Sequence, residues 1–485
     1  MKIAFYTLGC KLNQAETEAL AGRFSEAGFQ IVSPDDTADI YVANTCTVTH
    51  IADRKSRHWL RMARRRNPHA LIIAAGCYAQ RNEQELVHLA DIVLDNSQKE
   101  HMLDIIVTSL SRLTPSSNIA NSKSNVTAST PIYHSDTPVC HPGTPVSHSD
   151  TPVCHPGTPS LHCSTPLRHC ERSEATSPIS TIGRVRSLVK IQDGCHSNCT
   201  YCVVPTVRPH EYSLPAPRII DEIKRKVATG YREVILTGTK VGCYRDSSPN
   251  TSEAPGADLR NLVQRILDNT HIERLHLSSL RPREISPELL SLWQYKRLCR
   301  HFHLALQSGS DTVLQRMRRG YSLDDYHKTI NHIKDAIPDV AITTDIIVGF
   351  PGESDEEFQQ SYSFCRQAGF ANIHVFPFSS RPGTAAASMP HQVKDKVKQE
   401  RMQRMLELSQ DCRHSFCEQF TGRIMNVLWE KETKPGSGTY SGLTDNYIRV
   451  FVRSEKPPTN EIAPAKLLKF TDQGMWGKLV NENPG

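Results

Sequence analysis

Apolar runs alternate with helix-like segments over the first 112 residues. The apolar runs read KIAFYTLG, ADIYVANT, LIIAAG and ADIVLDN, and a helical stretch from Gln14 to Glu26 follows the first of them. Short apolar runs separated by helical segments are typical of a parallel sheet with helices packed on its faces. We therefore predict a doubly wound parallel α/β domain over residues 1–112.

A second alternating region begins near Ser187. It contains six strand-like runs, RSLVKIQ, EVILTG, RLHLSS, HFHLALQ, AITTDIIVGF and NIHVFPF. The helical segments predicted between them and after them are Pro217–Thr229, Leu259–Asp268, Ser322–Ile337, Asp355–Ala368 and a long charged helix from Val393 to Glu418. Six such units predict a partial or full parallel barrel over residues 182–418, with active residues at the carboxyl ends of its strands.

The pattern changes again after position 418. The runs RIMNVLWEKE, GTYSGLTDNYIRVFV and LLKFTDQGMWGKLV indicate short strands joined by turns. Several short strands with turn signals between them are typical of a small β-barrel. We predict such a barrel over residues 419–485.

Residues 113–181 interrupt these domains with a segment rich in Ser, Thr, Pro and His. The sequence HSDTPVCHPGTP occurs at 134–145 and again at 148–159. Frequent proline and few aliphatic residues prevent such a segment from burying a core, so we predict disorder. Its cysteines are either a metal site or passengers of a recent duplication: Cys140, Cys154, Cys163 and Cys170. Deletion of residues 120–178 is expected to leave activity intact.

The composition limits the class of protein only loosely. The chain of 485 residues is 38% hydrophobic and carries a formal charge of +6, which is compatible with nucleic-acid binding without proving it. No apolar run approaches the roughly 18 residues of a membrane span, and the start of the chain resembles a strand more than a signal peptide. We therefore expect a cytoplasmic protein without a membrane partner. Its fifteen cysteines then favour metal or redox chemistry over disulfides.

Three cysteines follow apolar runs of the first domain. Cys10, Cys46 and Cys77 each stand where a predicted strand ends. Parallel strands direct their carboxyl ends to one edge of a sheet, where such folds bind ligands. The three cysteines are thus expected to meet there, unless they are unrelated buried or loop cysteines. Five others have no convincing cluster spacing and are interpreted as structural: Cys243, Cys299, Cys365, Cys412 and Cys417.

A compact motif, GCHSNCTYC, places Cys195, Cys199 and Cys202 in a C-x3-C-x2-C pattern. Thiolates at this spacing suit an iron–sulfur cluster. A cube with four irons keeps one iron without a protein ligand, and an open position marks a reactive site. A structural zinc site needs a fourth ligand, which the local sequence does not supply. The motif follows the first strand of the predicted barrel, where an active site is expected.

The motif and its surroundings resemble the radical S-adenosylmethionine superfamily. Outside it, TLGCKLNQAE, NTCTVT, AAGCYAQ, LTGTKVGCY, LHLSSLRP, HLALQSGSDTVLQRMRRGY, TDIIVGFPGE and HVFPFSSRPGTAA are similar to the methylthiotransferase family within it. GLTDNYIRVFV resembles that family's TRAM β-barrel, and the opening TLGCKLNQAET most resembles the branch that acts on threonylcarbamoyladenosine in tRNA. The resemblance covers nearly the whole chain except residues 113–181.

This resemblance implies an enzyme that transfers a methylthio group to C2 of N6-threonylcarbamoyladenosine next to the anticodon of tRNA. It implies two 4Fe-4S clusters, one held by Cys195, Cys199 and Cys202 and binding S-adenosylmethionine, and an auxiliary one held by the other three cysteines. The alternatives are the isopentenyladenosine branch, the branch that modifies a ribosomal protein, and a non-catalytic iron–sulfur RNA-binding protein. Implied partners are tRNA, an electron donor such as flavodoxin or ferredoxin, and a sulfur source.

Further residues are candidates for cofactor contacts. They end predicted strands or belong to glycine-containing loops, and the alternative for each is an ordinary turn or strand end. The candidates for S-adenosylmethionine are Thr237, Gly238, Ser278, Gln307 and Gly349. One departure from the family pattern follows the cluster motif, where Pro209 and Leu214 stand in place of a glycine and an arginine. Proline fixes φ and lacks an N–H, so the geometry of this loop is expected to differ.

RNA contacts are predicted at two places. DRKSRHWLRMARRR concentrates basic residues on a predicted helix after Cys46, and Arg54, Lys55, Arg57 and Arg61 are candidates for phosphate contacts. A solvated helix face is the alternative. In the C-terminal barrel, Tyr440 and Tyr447 are candidates for stacking on bases.

Overall fold

The computed structural model describes residues 1–113, 185–246, 257–456 and 458–480. The repeat of the low-complexity segment and its four cysteines lie outside these residues, so the predictions made for them remain predictions. Of the described residues, those before position 105 and those after position 184 belong to one unit by their contacts.

The N-terminal domain is a five-stranded parallel sheet in the order β2-β1-β3-β4-β5, which confirms the predicted doubly wound fold. Its strands are β1 (Lys2–Thr7), β2 (Gln30–Val32), β3 (Ile40–Thr45), β4 (Leu71–Gly76) and β5 (Ile92–Leu94). Its helices are α1 (Lys11–Glu26), α2 (His50–Arg66), α3 (Cys77–Arg81), α4 (Glu83–Leu86) and α5 (Met102–Leu113). The sequence pattern missed β2, because this short strand begins with the polar Gln30, whereas the equally short β5 lies in the apolar run ADIVLDN.

The central domain contains six parallel strands in two ladders, β10-β9-β6 and β11-β12-β13. Isolated parallel bridges, among them Leu280 to Leu304, connect the two ladders into the predicted partial barrel. The strands are β6 (Arg186–Lys190), β9 (Glu233–Thr237), β10 (Arg274–Leu277), β11 (His301–His303), β12 (Ala341–Val348) and β13 (Asn372–Pro377), with the hairpin β7 (Gln192–Asp193) and β8 (Tyr212–Ser213) beside the first. The helices are α6 (Val204–Val207), α7 (Ala216–Ala228), α8 (Leu259–Asn269), α9 (Pro287–Leu290), α10 (Asp311–Arg316), α11 (Leu323–Ala336), α12 (Asp355–Ala368) and α13 (Asp395–Glu418).

The two faces of the barrel strands differ in polarity. Val189, Val234 and Leu275 face outward into the large apolar core under the surrounding helices. Because side chains alternate along a strand, their neighbours Glu233 and His276 face inward. The barrel interior, which we call the lumen, therefore contains charged and polar side chains, whereas the outer face supplies most of the apolar burial that stabilises the domain.

The C-terminal domain is a closed barrel in the order β14-β15-β16-β18-β17, which confirms the predicted small β-barrel. Its strands are β14 (Ile424–Glu432), β15 (Thr439–Thr444), β16 (Arg449–Arg453), β17 (Ile462–Thr471) and β18 (Gly474–Leu479). Trp429 fills its centre with no exposed surface. Among the described residues, no helix combines the length and the apolar content that a membrane crossing needs.

Candidate metal centre

The first cysteine triad lies at one edge of the N-terminal sheet. Cys10 follows β1 as the N-cap of α1, Cys46 follows β3, and Cys77 follows β4 as the first residue of α3. These strands are neighbours in the order β1-β3-β4, so their carboxyl ends bring the three thiols together as the sequence predicted. The N-terminus of α1 also favours negative charge at Cys10.

Two glycines make this close approach possible. Gly9 has φ +104°, and a Cβ added there would lie 2.7 Å from the Cys46 sulfur. Gly76 has φ +102°, and its Cβ would lie 2.6 Å from the Asn44 side-chain oxygen. Only glycine adopts such a conformation without strain, so each glycine directs the cysteine that follows it into the shared site.

Burial raises the pKa of two thiols of this triad, those of Cys10 and Cys46. Burial, with smaller contributions from the Cys77 and Cys10 thiols, raises the pKa of Cys46 to about 12. Cys10 is solvent-accessible, yet surrounding protein atoms still raise its pKa by desolvation, and the Arg208 guanidinium opposes that rise. Binding of a metal cluster must therefore displace protons, as is usual for thiolate ligands.

The second triad lies in the loop between β7 and α6, at the carboxyl end of the first barrel strand. The Cys195 amide donates to the Arg208 carbonyl over 3.2 Å, and the Cys202 amide donates to the Cys199 carbonyl over 3.1 Å. Two arginine side chains reach its sulfurs. Arg319 donates to Cys199 Sγ at 3.5 Å, and Arg281 approaches Cys195 Sγ at 3.9 Å. Such donors stabilise thiolate charge.

The two triads adjoin each other. Cys77 packs against Val203 and Val207, on the short segment that directly follows Cys202. Asn96 spans the same boundary, since its amide donates to the Val207 carbonyl at 2.7 Å and approaches Cys77 Sγ at 3.8 Å. The mouth of the barrel and the edge of the sheet therefore form one continuous site.

A buried ion network holds this arrangement. Arg208 donates to Glu16 of α1 and to Asp193 of β7, both at 2.7 Å. Lys99 and Lys190 also pair with Glu16, at 2.6 and 3.5 Å. Burial alone would raise the pKa of Glu16, but these three cations hold it well below its ordinary value. The network fixes α1, and Cys10 at its start, against the barrel.

The donor set fits iron–sulfur clusters better than single ions. Within the described ranges, no group of three or more His, Cys, Asp or Glu could hold one metal ion. A cluster is larger than an ion, so its thiolates stand farther apart, and Cys ligation is its usual mode. The two cysteine triads lie at one mouth of the barrel, and arginine side chains donate to the sulfurs of the second triad. This arrangement matches two 4Fe-4S clusters.

The predicted S-adenosylmethionine candidates all lie at carboxyl ends of barrel strands. Thr237 and Ser278 are buried there, and a Cβ on Gly238 would lie 2.7 Å from the Gln192 carbonyl oxygen. Gln307 has φ +78°, a conformation that non-glycine residues rarely adopt, and pairs with β12. Gly349 also has a positive φ, but a Cβ added there would contact the Lys398 side chain of α13.

The structure corrects one RNA candidate. The Tyr447 ring is stacked on His276 and His301, with centroids 4.3 and 4.6 Å away. Its hydroxyl donates to Glu233 and is 2.9 Å from His276 Nδ1. Tyr447 therefore anchors the C-terminal barrel to the lumen and does not stack on a base. The sequence could not show this, because the docking of two domains buries it.

The other RNA candidates divide into two groups. Arg54, Lys55 and Arg61 are exposed on α2, whereas Arg57 pairs with Glu85 at 2.8 Å. Tyr440 is half-buried and packs against the core of the C-terminal barrel.

Several functional residues were not singled out from the sequence. They are Arg281 and Arg319, whose side chains donate to cysteine sulfurs, and the ion network around Arg208. Their only signal was membership of the motifs LHLSSLRP and MRRGY and of the stretch after the cluster motif. In that altered loop, the Pro209 carbonyl bonds the His196 ring at 2.6 Å, and Leu214 is buried in the barrel core.

Comparisons with known proteins agree with this site. The family model described as "Radical SAM superfamily" matches residues 189–365, and "Uncharacterized protein family UPF0004" matches residues 2–95. The site thus defines a radical S-adenosylmethionine protein. The threonylcarbamoyladenosine tRNA methylthiotransferase MtaB of Bacillus subtilis is 33% identical over 99% of this chain and 97% of its own. The chain belongs to the radical S-adenosylmethionine methylthiotransferase family.

Two further similarities complete the comparison. The tRNA-2-methylthio-N(6)-dimethylallyladenosine synthase of Methylacidiphilum infernorum is 29% identical over 97% of this chain and 93% of its own. The radical S-adenosylmethionine methyltransferase TsrM of Kitasatospora setae, with cobalamin and a [4Fe-4S] cluster bound, has a TM-score of 0.49 at 12% identity, over 95% of this chain and 82% of that chain. The cofactors of this family are S-adenosylmethionine and two 4Fe-4S clusters, as the sequence predicted.

Proposed function

We propose that this protein methylthiolates C2 of N6-threonylcarbamoyladenosine beside the anticodon of tRNA. The observation that carries the proposal is the meeting of two cysteine triads at one barrel mouth. A reaction that needs both a radical and a sulfur donor requires two centres within reach of one substrate atom. The name of the Bacillus subtilis relative supports the threonylcarbamoyl substrate.

Each triad has its own proposed role. Cys195, Cys199 and Cys202 hold the cluster that binds S-adenosylmethionine, and Cys10, Cys46 and Cys77 hold the auxiliary cluster. When bound, these cofactors supply the radical and the sulfur, which protein side chains cannot provide. The chain positions them: the Arg319 and Arg281 donors stabilise the sulfurs of the first triad, and the Arg208 network keeps the two triads adjacent.

The remaining site assignments support the same reaction. Thr237, Gly238, Ser278, Gln307 and Gly349 are proposed to contact S-adenosylmethionine, because four strand ends converge where they lie. Proposed domain limits stay at residues 1–112, 182–418 and 419–485, on either side of the 113–181 insertion. The proposed setting is the cytoplasm, with an electron donor of the flavodoxin or ferredoxin type and a separate sulfur source.

The proposed tRNA contact is a basic face of α2. Arg54, His58, Arg61 and Arg65 follow the i, i+4, i+7, i+11 spacing of one helix face, and all are exposed. The helix begins four residues after Cys46, so a backbone held on this face is close to the auxiliary triad. Phosphate contacts of this kind position RNA without reading its sequence.

Anaerobic reconstitution followed by nucleoside mass spectrometry tests the function. The reconstituted protein, S-adenosylmethionine, a reductant and tRNA bearing threonylcarbamoyladenosine should give the C2-methylthio nucleoside. Cys199→Ala should abolish this product and reductive cleavage of S-adenosylmethionine while the auxiliary cluster remains visible in spectra. Cys412→Ala, which removes a half-buried thiol on α13, is the matched control and should retain both.

The outcomes separate the alternatives. A product formed only on dimethylallyladenosine would place the protein in the branch of the Methylacidiphilum relative, which is 29% identical to this chain. Unchanged tRNA together with a modified ribosomal protein would favour the protein-modifying branch. Cluster binding without cleavage of S-adenosylmethionine would identify a non-catalytic RNA-binding protein.

A further inference from the structure

Lys11 lies on the face of α1 that covers the barrel. One turn further along α1, Ala15 packs against Leu188 of β6 and Ile235 of β9. At the next turn Glu18 accepts a hydrogen bond from Ser187 at 2.9 Å. Positions i, i+4 and i+7 of a helix share one face, so the Lys11 side chain projects toward the same barrel surface.

The surroundings of Lys11 place its ammonium group at the lumen. Its charge interacts with those of Arg186 on β6, Glu233 on β9 and Asp345 on β12. These three strands belong to both ladders of the barrel, which agrees with the direction of the α1 face that Ala15 and Glu18 define. The Lys11 side chain is nevertheless solvent-accessible, so the space beside it is open to a ligand.

The other described cations around this space already have partners. Arg186 pairs with Glu430 at 2.5 Å, and Lys190 pairs with Asp193 at 2.6 Å. Arg274 donates to two backbone carbonyls of the C-terminal barrel, both at 2.8 Å. Within the described residues, no hydrogen bond or ion pair engages the Lys11 ammonium.

The acidic groups near Lys11 are also engaged elsewhere. Asp345 pairs with His303 at 3.1 Å, and Glu233 accepts the hydroxyl hydrogen of Tyr447. Neither is drawn into an ion pair with Lys11. A cation that is accessible, lies on the helix face toward the lumen and has no partner among the described residues is suited to an anionic ligand.

We propose that Lys11 binds the carboxylate of the N6 substituent of the substrate adenosine and thereby selects threonylcarbamoyladenosine. The inference rests on the proposed function, because the target base must enter between the two triads and Lys11 directly follows Cys10. The threonyl group carries a carboxylate, whereas unmodified adenosine and dimethylallyladenosine carry no charge there. An ammonium–carboxylate contact at Lys11 would therefore distinguish these substrates by charge.

The test measures binding rather than turnover. Reconstituted protein without S-adenosylmethionine is titrated with anticodon stem-loops carrying adenosine, threonylcarbamoyladenosine or the methyl ester of the latter, and fluorescence anisotropy gives the affinities. The wild type should bind the acid about ten- to a hundredfold more tightly than the ester, as expected for a charge-assisted contact. Lys11→Gln should abolish this difference and leave the affinity for the adenosine stem-loop unchanged, and Lys11→Arg should retain most of it.

Several outcomes would overturn the inference. An equal loss of affinity for all three stem-loops in Lys11→Gln would assign Lys11 to the RNA backbone. Altered iron content or cluster spectra in both Lys11→Gln and Lys11→Arg would assign it to the auxiliary cluster. A wild type that methylthiolates the acid but binds acid and ester equally would refute the role of Lys11 while the proposed function stands. Absence of product from the acid would refute the proposed function, and the inference with it.

Discussion

The contact between Arg381 and Asp53 offers a quantitative test of how the N-terminal domain is held on the barrel. Arg381 follows β13, its side chain is 1% exposed, and its Nη2 donates to Asp53 of α2 at 2.6 Å and to Thr47 at 2.7 Å. Arg381 Nε and Nη1 and Asp53 Oδ1 find no partner among the described residues. The pair is therefore buried but incompletely satisfied.

Removal of one partner should be costly. In Arg381→Met the Asp53 carboxylate stays buried without its cation, and breaking a buried pair in this way costs about 3–5 kcal/mol. At roughly 2–4 °C per kcal/mol, the melting temperature of the affected unit should fall by roughly 6–20 °C. The matched control is Lys328→Met, which breaks an exposed pair with Asp324 (65% and 71% exposed) and should change the melting temperature little.

Calorimetry with a double variant completes the experiment. Because the pair is incompletely satisfied, Asp53→Leu combined with Arg381→Met should recover most of the lost stability. Equal melting temperatures of Arg381→Met and Lys328→Met would refute the reasoning about the buried charge. A double variant as unstable as Arg381→Met would show instead that lost packing, and not the unpaired carboxylate, caused the fall.

Three other substitutions test separate parts of the structure. In Gly194→Ala the new Cβ would lie 1.9 Å from the His210 carbonyl oxygen, so the iron content after reconstitution should fall toward half. The control is Gly383→Ala, which is also at positive φ but has no atom within 4 Å, and it should keep its iron. Equal iron content of the two variants would contradict this. Arg61→Ala should lower the slope of log affinity for tRNA against log salt by about 1 for all tRNA sequences, and an unchanged slope would remove Arg61 from the RNA interface. Hydrogen bonding to the Arg316 side chain lowers the pKa of Glu357 from its ordinary value of 4.5 to about 2. The ionised Glu357 therefore stabilises the fold fully above pH 4.5, and this stabilisation is lost as the pH falls toward 2. The stability difference between wild type and Glu357→Gln should therefore shrink over this window in acid titrations followed by circular dichroism, and a constant difference would contradict the linkage.

Much of the secondary structure was predictable because it depends on local periodicity. The helix Asp355–Ala368 was predicted with its observed bounds, since Ser354 caps it with Glu357 and Gly369 ends it in a left-handed conformation. α1 began three residues before the predicted Gln14, because Cys10 takes the N-cap position without a capping side-chain bond that sequence could reveal. All six barrel strands were predicted from their apolar runs.

The edge at which the first triad assembles was also predictable, because parallel strands end on one side of a sheet. The roles of charged and aromatic side chains were not. Arg54 and Arg57 belong to the same basic run, yet one is exposed and the other pairs with Glu85. Tyr440 and Tyr447 belong to the same predicted barrel, yet only the second is stacked on histidines of another domain.

The sequence by itself determined the order of the elements, the spacing of the compact cysteine motif and the strand ends that carry the other three cysteines. These features follow from short-range sterics and from the period of apolar side chains. Only the tertiary structure decided that the two triads adjoin, that Tyr447 is an anchor and that Lys11 faces the lumen. Burial by a distant surface sets the partners of a polar side chain, and that surface is absent from its local sequence.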